Sequence, residues 1–456
     1  MRKQNDLGRD PIRPLVWRIA FPSMLAQFVS VLYSIVDRIY ISNIPVTGET
    51  ALAGVGVCGP VVTMLGAFAF LVGVGGAPLM SINMGAGRED EARRILSNSF
   101  LILCVCAVVL TAAVFPLQRP MLMFFGASET TYPYAEEYFS IYLCGTAFNL
   151  LSLGMNQFII SQGFAKKGMF SVVLGAALNI VLDPLFIFVF DMGVAGAAVA
   201  TVLSQLASCV YVLCVLFGRT VPVRIGFGRY SLRLVGRILV TGISPFLIIF
   251  VDSIMIISMN AVLQSYGGPE LGDRLITCAT IAQSFMLVVT MPLGGISSST
   301  QTILSFNYGA RRPDRVREAQ KRIFVLCAVY TGLMMLVAWT CGGVFARLFT
   351  TDAGMADQAV WAIRVCSLAL LPLGIQYEIV DGFTALGQVR YSLPLSFWRK
   401  LVYFVALFAL PAAFGARAAF FAEPVSDVLG PAVSIAVYLL VIRRILQRRG
   451  SGPQGV

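Results

Sequence analysis

The ten residues Ser81-Ile-Asn-Met-Gly-Ala-Gly-Arg-Glu-Asp90 return in the second half of the chain as Ser305-Phe-Asn-Tyr-Gly-Ala-Arg-Arg-Pro-Asp314. Six of the ten positions are identical, at a shift of 224 residues in a chain of 456. The same shift relates Gly163 to Gly387, and each of these glycines ends an apolar segment just before a basic turn. A repeat of about half the chain length predicts one structural unit that is used twice.

The composition indicates that this unit lies in a membrane. Hydrophobic residues make up 57% of the chain and charged residues 12%, whereas soluble domains are about one quarter charged. Apolar runs near or above the ~20 residues that cross a bilayer as a helix recur along the whole length. They cover approximately residues 15–40, 51–80, 96–118, 138–162, 169–190, 193–217, 238–262, 275–302, 323–346, 361–386, 393–414 and 425–442. We therefore predict an all-α polytopic membrane protein with about twelve transmembrane helices in two six-helix repeats.

An even number of helices per repeat returns the chain to its starting side, so the two repeats are expected to be parallel. We predict an N-terminal lobe with TM1–TM6 over residues 1–217, a cytoplasmic connector over 218–237, and a C-terminal lobe with TM7–TM12 and a basic tail over 238–456. Carriers built from repeats bind substrate at the repeat interface and alternate access by rocking one bundle against the other.

The basic residues predict the orientation. When the turns are assigned alternately to two sides, 28 of the 34 basic residues fall on the side of the N-terminus, and this set includes Arg399 and Lys400. The other side holds Arg38, Arg119, Arg274, Arg347, Arg364 and Arg417. The positive-inside rule then places both termini in the cytoplasm. The net charge of +11 is accordingly assigned to topology signals that also meet anionic lipid, and not to nucleic-acid binding.

Several classes of function find no support in the residues. The chain has no histidine, and its ten cysteines show no metal-ligand spacing, so we expect neither an enzyme nor a bound cofactor. Gly54–Gly59 matches the dinucleotide fingerprint, but it lies within an apolar run and indicates close helix packing. Because no GxxxxGK[ST] loop is present, uphill transport is expected to use an ion gradient.

Charged residues inside the predicted helices are costly and are therefore candidates for function. They are Asp37, Asp183, Asp252, Glu378 and Asp381. In the absence of histidine, a proton carrier must be a carboxylate. Two alternatives stay open: Asp37 precedes Arg38 and is compatible with an interfacial ion pair, and Asp381 lies only six residues before Gly387, compatible with a place at the membrane interface.

Helix geometry brings four of the polar residues to one level. Asp183 lies ~24 Å along a helix that starts at the Lys166-Lys167 turn, and Asn179 is on the same face one turn earlier. Thr201 lies ~12 Å down the next helix, and Asp37 lies in the outer half of the first helix. Their oxygens suit a hard cation or a shared proton.

The chain resembles the MATE family of multidrug and toxic compound extrusion transporters in several separated motifs. These are Pro22-Ser-Met-Leu-Ala-Gln27, Tyr33-Ser-Ile-Val-Asp37, Asn179-Ile-Val-Leu-Asp183-Pro184 and the paired Asn-Xaa-Gly-Ala turns, and the resemblance covers essentially the whole chain. It implies an N-lobe and a C-lobe of six helices each. It also implies export of amphipathic, often cationic, small molecules by antiport against H⁺ or Na⁺.

The resemblance also implies site residues. The family's N-lobe cation site maps onto Asp37, Asn179, Asp183 and Thr201, and a tyrosine near that site corresponds to Tyr138. Na⁺ at these four residues, or H⁺ on the carboxylates, is the only ion expected. Some branches of the family carry acidic residues in the C-lobe, and a possible second polar site there comprises Asp252, Glu378 and Asp381.

Comparison of the two repeats favours the N-lobe as the place of ion chemistry, because Asp37 falls on Asn260 and Asp183 on Leu407 in the second copy. A lipid-linked precursor flippase of the same broad superfamily is an alternative. Such a flippase needs cations around its cavity, whereas the acids lie in the helices here and the arginines in the turns. A passive channel leaves the half-chain repeat unexplained. We expect a monomer in the bacterial inner membrane, with the bilayer and small molecules as partners.

Overall fold

A computed structural model of the chain describes residues 5–45, 48–125, 127–228, 230–350 and 352–450. Arg2, Lys3 and Arg229, which contribute to the count of basic residues, lie outside them. Within this described part the regular elements are all helical, and fourteen are α-helices. They are α1 (Ile12–Ser42), α2 (Gly48–Gly85), α3 (Glu89–Val114), α4 (Gln118–Phe124), α5 (Tyr132–Cys144), α6 (Thr146–Ile160), α7 (Ala165–Pro184), α8 (Gly193–Phe217), α9 (Leu232–Gly309), α10 (Pro313–Arg347), α11 (Ala353–Cys366), α12 (Leu370–Ala385), α13 (Val389–Phe414) and α14 (Ala422–Gly450).

The described helices confirm the predicted number of membrane spans. Ten helical segments are long and apolar enough to cross a bilayer, and α9 supplies two of them because Gly268 breaks it with a φ of 68°. Two further spans are bent helix pairs, α5 with α6 at 56° and α11 with α12 at 48°. Counting each bent pair once gives twelve. The two bends occupy corresponding places in the two repeats, as expected if one unit is used twice.

The repeated turn that opens the sequence has the same hydrogen bonds in both copies. The Arg88 N–H donates to the Asn83 carbonyl at 2.9 Å, and the Arg312 N–H donates to the Asn307 carbonyl at 2.9 Å. A bond that reaches back five residues is the mark of a Schellman helix end, which satisfies a carbonyl that the helix leaves without a donor. The two copies of this turn therefore share a backbone conformation as well as a sequence.

These helix ends require a left-handed residue. In the first copy of the repeated turn this residue is Gly87, with a φ of 73°. Gly163 and Gly387, which are also related by the repeat, have the same conformation with φ values of 87° and 68°. At the position equivalent to Gly87 the second copy has Arg311, with a φ of 56°. Arginine accepts this conformation at a cost of about 1–2 kcal/mol, so the geometry of the turn is imposed by the helices around it.

The chain divides into two compact units. The first comprises Met1–Arg9 and Phe21–Ile249, and the second comprises Asp10–Ala20 and Phe250–Val456, as far as these residues are described. In the first unit α2 packs against α3, α5 and α6, and α8 packs against α5, α6 and α7. In the second unit α12 packs against α10, α13 and α14. These contacts position the polar side chains that the sequence singled out.

The described residues between α8 and α9, 218–228 and 230–231, form turns, bends and irregular backbone, and this segment is hydrogen-bonded to the rest of the first unit. The Val223 N–H donates to Gln162 Oε1 at 2.8 Å, and the Gly226 N–H donates to Ser97 Oγ at 3.1 Å. Val223 is buried as well. The segment is thus held by side-chain acceptors that replace the missing helical hydrogen bonds.

The glycine fingerprint of α2 serves helix packing at one position. A Cβ on Gly54 would lie 2.8 Å from the carbonyl oxygen of Thr131, whereas a Cβ on Gly56 or Gly59 would meet nothing within 4 Å. Of these three glycines, Gly54 alone therefore allows the close approach of another segment.

Candidate functional site

The first unit joins three of the predicted site residues by hydrogen bonds. Asn179 and Asp183 lie one helical turn apart on α7, and both are buried. Asn179 Nδ2 donates to Asp183 Oδ1 at 3.0 Å and to Thr201 Oγ1 on α8 at 3.4 Å. The i, i+4 spacing places the amide beside the carboxylate, and the packing of α7 on α8 adds the hydroxyl.

Asp37 approaches the same point from α1. Its carboxyl group lies within reach of a shared hydrogen bond with the carboxyl group of Asp183. Among the described residues Asp37 forms no ion pair with Arg38. Two ionised carboxylates have no hydrogen to donate, so their contact requires one shared proton or a cation between them.

Three acceptor oxygens of this group have no hydrogen-bond donor among the described residues. They are Asp37 Oδ1, Asn179 Oδ1 and Asp183 Oδ2. A buried polar atom without a partner costs about 1–3 kcal/mol, and more when it is charged. The set is therefore chemically incomplete in a way that a proton or a small hard cation would complete.

Tyr138 on α5 completes the predicted group. Its side chain is buried, stacks on Tyr142 with ring centroids 6.3 Å apart, and lies within hydrogen-bonding reach of Thr201. Tyr142 in turn accepts a hydrogen bond from Asn149 Nδ2 at 2.9 Å. The structure thus brings all five predicted residues of this unit together across four helices.

Sequence reasoning missed three polar neighbours of this group, although helical spacing marks them. Each lies four residues from a predicted residue, on the same helix face. They are Tyr33 before Asp37, Tyr142 after Tyr138, and Gln205 after Thr201. Tyr33 interacts electrostatically with both carboxylates, and Gln205 lies within hydrogen-bonding reach of Tyr142.

In the second unit the three predicted acidic residues fall into two neighbourhoods. Glu378 is 1% exposed, and neither of its carboxylate oxygens has a hydrogen-bond partner among the described residues. Asp381 lies one turn later on α12 and accepts a hydrogen bond of 2.5 Å from Ser297 Oγ on α9. This bond directs Asp381 into the unit. Asp252 instead forms an ion pair with Lys400 on α13.

The placement of Arg399 and Lys400 in a turn is wrong. Helix α13 begins at Val389, directly after the Gly387 turn, so the two cations lie about 15 Å into a membrane-spanning helix. Arg399 Nη1 lies 2.7 Å from Asp427 Oδ1 on α14. The arginines therefore do not all lie in turns, because Arg399 is inside a membrane-spanning helix. Its partner Asp427 is an intramembrane acid that was not among the predicted site residues.

Comparison with known proteins finds one family model and relatives that share one name. The sequence model of the MatE family matches residues 22–185 and 248–408, one stretch in each repeat. The multidrug export protein MepA of Staphylococcus aureus (strain MRSA252) is 23% identical over 95% of both chains. MepA of Staphylococcus haemolyticus (strain JCSC1435) is 23% identical over 87% of this chain and 86% of its own.

Solved structures share the fold at similarly low identity. One is an outward-facing multidrug resistance MATE family transporter of the MOP superfamily, with a TM-score of 0.90, 22% identity, and coverage of 98% of this chain and 100% of that chain. Another is a MOP superfamily transporter from Pyrococcus furiosus described by the reverse polarity of its binding pocket. It has a TM-score of 0.90 and 23% identity, and covers 97% of this chain and 99% of that chain.

Proposed function

The chain belongs to the MatE family, and from this premise we propose that it is a secondary active exporter of amphipathic, cationic compounds that is driven by antiport of H⁺ or Na⁺. The relatives named multidrug export protein support the export of small molecules. We further propose that it works as a monomer in the bacterial plasma membrane, with both termini in the cytoplasm and without a cofactor.

One observation carries the proposal. Asp37 and Asp183 face each other inside the first unit, with oxygens that have no donor among the described residues. Two facing carboxylates in a membrane-spanning region are costly unless a cation or a proton joins them. A site that must take up a positive charge is the chemical requirement for exchanging an ion against a cationic compound.

The exchange follows from competition for one negative site. When H⁺ or Na⁺ occupies the carboxylates of the outward-facing state, they lose their attraction for a cationic substrate, which leaves. When the ion departs to the cytoplasm, the restored charge favours the next substrate. Coupling requires the ion and the substrate to favour different conformations, because equal affinity for both conformations shifts no population. Asn179, Thr201 and Tyr138 would orient the carboxylates.

The flippase alternative is weaker than the exporter. Arg399 and Lys400 are intramembrane cations, as a pyrophosphate-binding cavity would need, but each is already paired with a carboxylate, Asp427 or Asp252. Their charge is therefore neutralised within the unit and not offered to a phosphate. Glu378 and Asp381 are further acidic groups, and they offer no positive charge that would bind a polyanion.

The variant Asp183→Asn tests the proposal in cells that lack their own ethidium exporters. We expect it to reach the membrane at the wild-type level and to lose resistance to ethidium, because the amide accepts no proton and cannot pair as an anion. Glu129→Gln is the matched control, since Glu129 is an exposed acid on the same unit and is not one of the candidate site residues. Wild-type resistance and counter-transport in Asp183→Asn would contradict the assignment.

A further inference from the structure

The second unit contains a group of five charged side chains that the proposed exchange does not use. Asp252 lies on α9, Arg399 and Lys400 on α13, and Glu423 and Asp427 on α14, one helical turn apart. All five belong to segments that are long and apolar enough to span a membrane. Intramembrane charges at this density mark function by default.

Two ion pairs account for four of the five charges. Arg399 Nη1 and Asp427 Oδ1 are 2.7 Å apart, and Lys400 Nζ pairs with Asp252 Oδ1. The Arg399 pair is enclosed, with side-chain exposures of 14% and 0%. The Lys400 pair is asymmetric, because the lysine side chain is 5% exposed and the Asp252 side chain is 48% exposed. A cation that comes from outside the unit can therefore reach Asp252, whereas Lys400 is inside.

With Glu423 ionised, the group has one more negative charge than positive charges. Its carboxylate has no hydrogen bond or ion pair among the described residues, yet it interacts electrostatically with Arg399 and Lys400. Asp427 Oδ2, fully buried, also has no partner there. Three carboxylates against two fixed cations require one further positive charge to be neutral, and a net charge in low dielectric is strongly disfavoured.

We propose that this group is a second cation-exchange site, at which either one proton on Glu423 or the cationic head of one substrate on Asp252 supplies the missing charge, with Lys400 moving between the two carboxylates. The inference rests on the proposed antiport function and adds a second place at which proton and substrate compete. Its ligand class is a monovalent organic cation.

The two states conserve charge and protons. In the first, Lys400 pairs with Asp252 and Glu423 carries the proton, so the group is neutral. In the second, Glu423 has released its proton and pairs with Lys400, and the substrate cation pairs with Asp252, so the group is neutral again. One proton leaves for each cation that binds. The long flexible stem of lysine allows such a change of partner, whereas Arg399 stays with Asp427.

Among the described residues, the surroundings of Glu423 contain no cation besides Arg399 and Lys400. The titratable groups that interact with it from the packed helices are Asp252, Cys366, Arg399, Lys400, Tyr403 and Asp427. The neutral forms of the cysteine and the tyrosine contribute dipoles only. The balance therefore depends on the proton and the external cation.

Ethidium binding to the full-length chain in lipid nanodiscs tests the site, because two substitutions that break one ion pair should act in opposite directions. Lys400→Met frees Asp252 and should tighten ethidium binding about fivefold or more. Asp252→Asn removes the acceptor and should weaken binding by a similar factor. A merely structural ion pair predicts loss in both variants, so weaker or unchanged binding in a folded Lys400→Met protein overturns the proposal.

Glu423→Gln provides the second measurement, and it breaks no side-chain hydrogen bond or ion pair in the described part of the chain. It fixes Glu423 in a neutral form, keeps Lys400 on Asp252, and should weaken ethidium binding about fivefold while lowering the number of protons released per ethidium bound. Glu423 also lies in the first turn of α14, where an acid stabilises the helix end. Unchanged affinity and proton release would leave only that role and overturn the proposal, even if Lys400→Met does not fold.

Ethidium binding in nanodiscs, combined with coupled efflux measured in proteoliposomes, separates the two proposals. If the wild-type chain binds ethidium and Asp183→Asn abolishes coupled efflux, the proposed function stands whatever the second-unit variants do. If Asp183→Asn retains wild-type coupled efflux while Lys400→Met and Asp252→Asn still move the affinity in opposite directions, the first-unit assignment fails and the exchange site of the second unit stands.

Discussion

Asn179 is the residue that makes the first-unit group a single structure. Its two amide hydrogens go to Asp183 Oδ1 at 3.0 Å and to Thr201 Oγ1 at 3.4 Å, so one side chain orients a carboxylate and a hydroxyl on neighbouring helices. Its own carbonyl oxygen is left without a donor among the described residues. That oxygen is a neutral ligand which Na⁺ can use and H⁺ does not need.

The variant Asn179→Leu should lower the free energy of unfolding by about 1–3 kcal/mol at alkaline pH, because the ionised Asp183 loses its donor. The loss should shrink at acid pH, since a protonated Asp183 needs no donor and the apolar side chain is then tolerated. Unfolding in detergent at pH 10 and pH 5 measures both values. Thr201→Val is the control, because it leaves the bond between Asn179 and Asp183 in place.

An equal loss at both pH values would indicate that Asn179 contributes packing alone. A loss in Thr201→Val as large as that in Asn179→Leu would indicate that the bond to Thr201 Oγ1 carries the stability. Either result would remove the amide from its place between the carboxylate and the hydroxyl.

At the scale of the helix, α2 offers a matched pair of glycines. A Cβ at Gly54 would lie 2.8 Å from the Thr131 carbonyl and 3.0 Å from the Tyr134 side chain, whereas Gly56 faces open space. Gly54→Ala should therefore destabilise the chain by about 1–3 kcal/mol. Gly56→Ala should be neutral or stabilise it by up to ~1 kcal/mol, because alanine is the better helix former. Thermal unfolding in detergent measures both, and similar effects would contradict the packing interpretation.

Helix α13 shows why part of the chemistry escaped sequence reasoning. The predicted run 393–414 contains Arg399 and Lys400, but the count of basic residues assigned both to the cytoplasmic side together with the polar start Val389-Arg-Tyr-Ser. The structure starts the helix at Val389, which moves both cations to its middle. Only the acids on α9 and α14 make that depth acceptable, and tertiary partners of this kind leave no periodic signal in a single sequence.

The arrangement of the whole molecule was largely predictable, because a bilayer allows few solutions. The lengths of the apolar runs predicted twelve spans, and the repeat predicted one structural unit used twice, to which the structure adds the paired Schellman ends at Asn83 and Asn307 and the paired bends. The first-unit group was found because Asp37, Asn179, Asp183, Thr201 and Tyr138 lie in motifs with helical spacing and a matching depth. The repeat kept its turns and bends while the polar residues inside the two units diverged.

The most direct test uses the purified chain in proteoliposomes loaded with ethidium, with a pH gradient and a Na⁺ gradient imposed separately. The account predicts that at least one inward ion gradient drives ethidium uphill, and that Asp183→Asn loses this driven movement while Glu129→Gln keeps it. Ethidium movement that only follows its own concentration gradient, at the same rate with either ion gradient or with none, would contradict ion-coupled export.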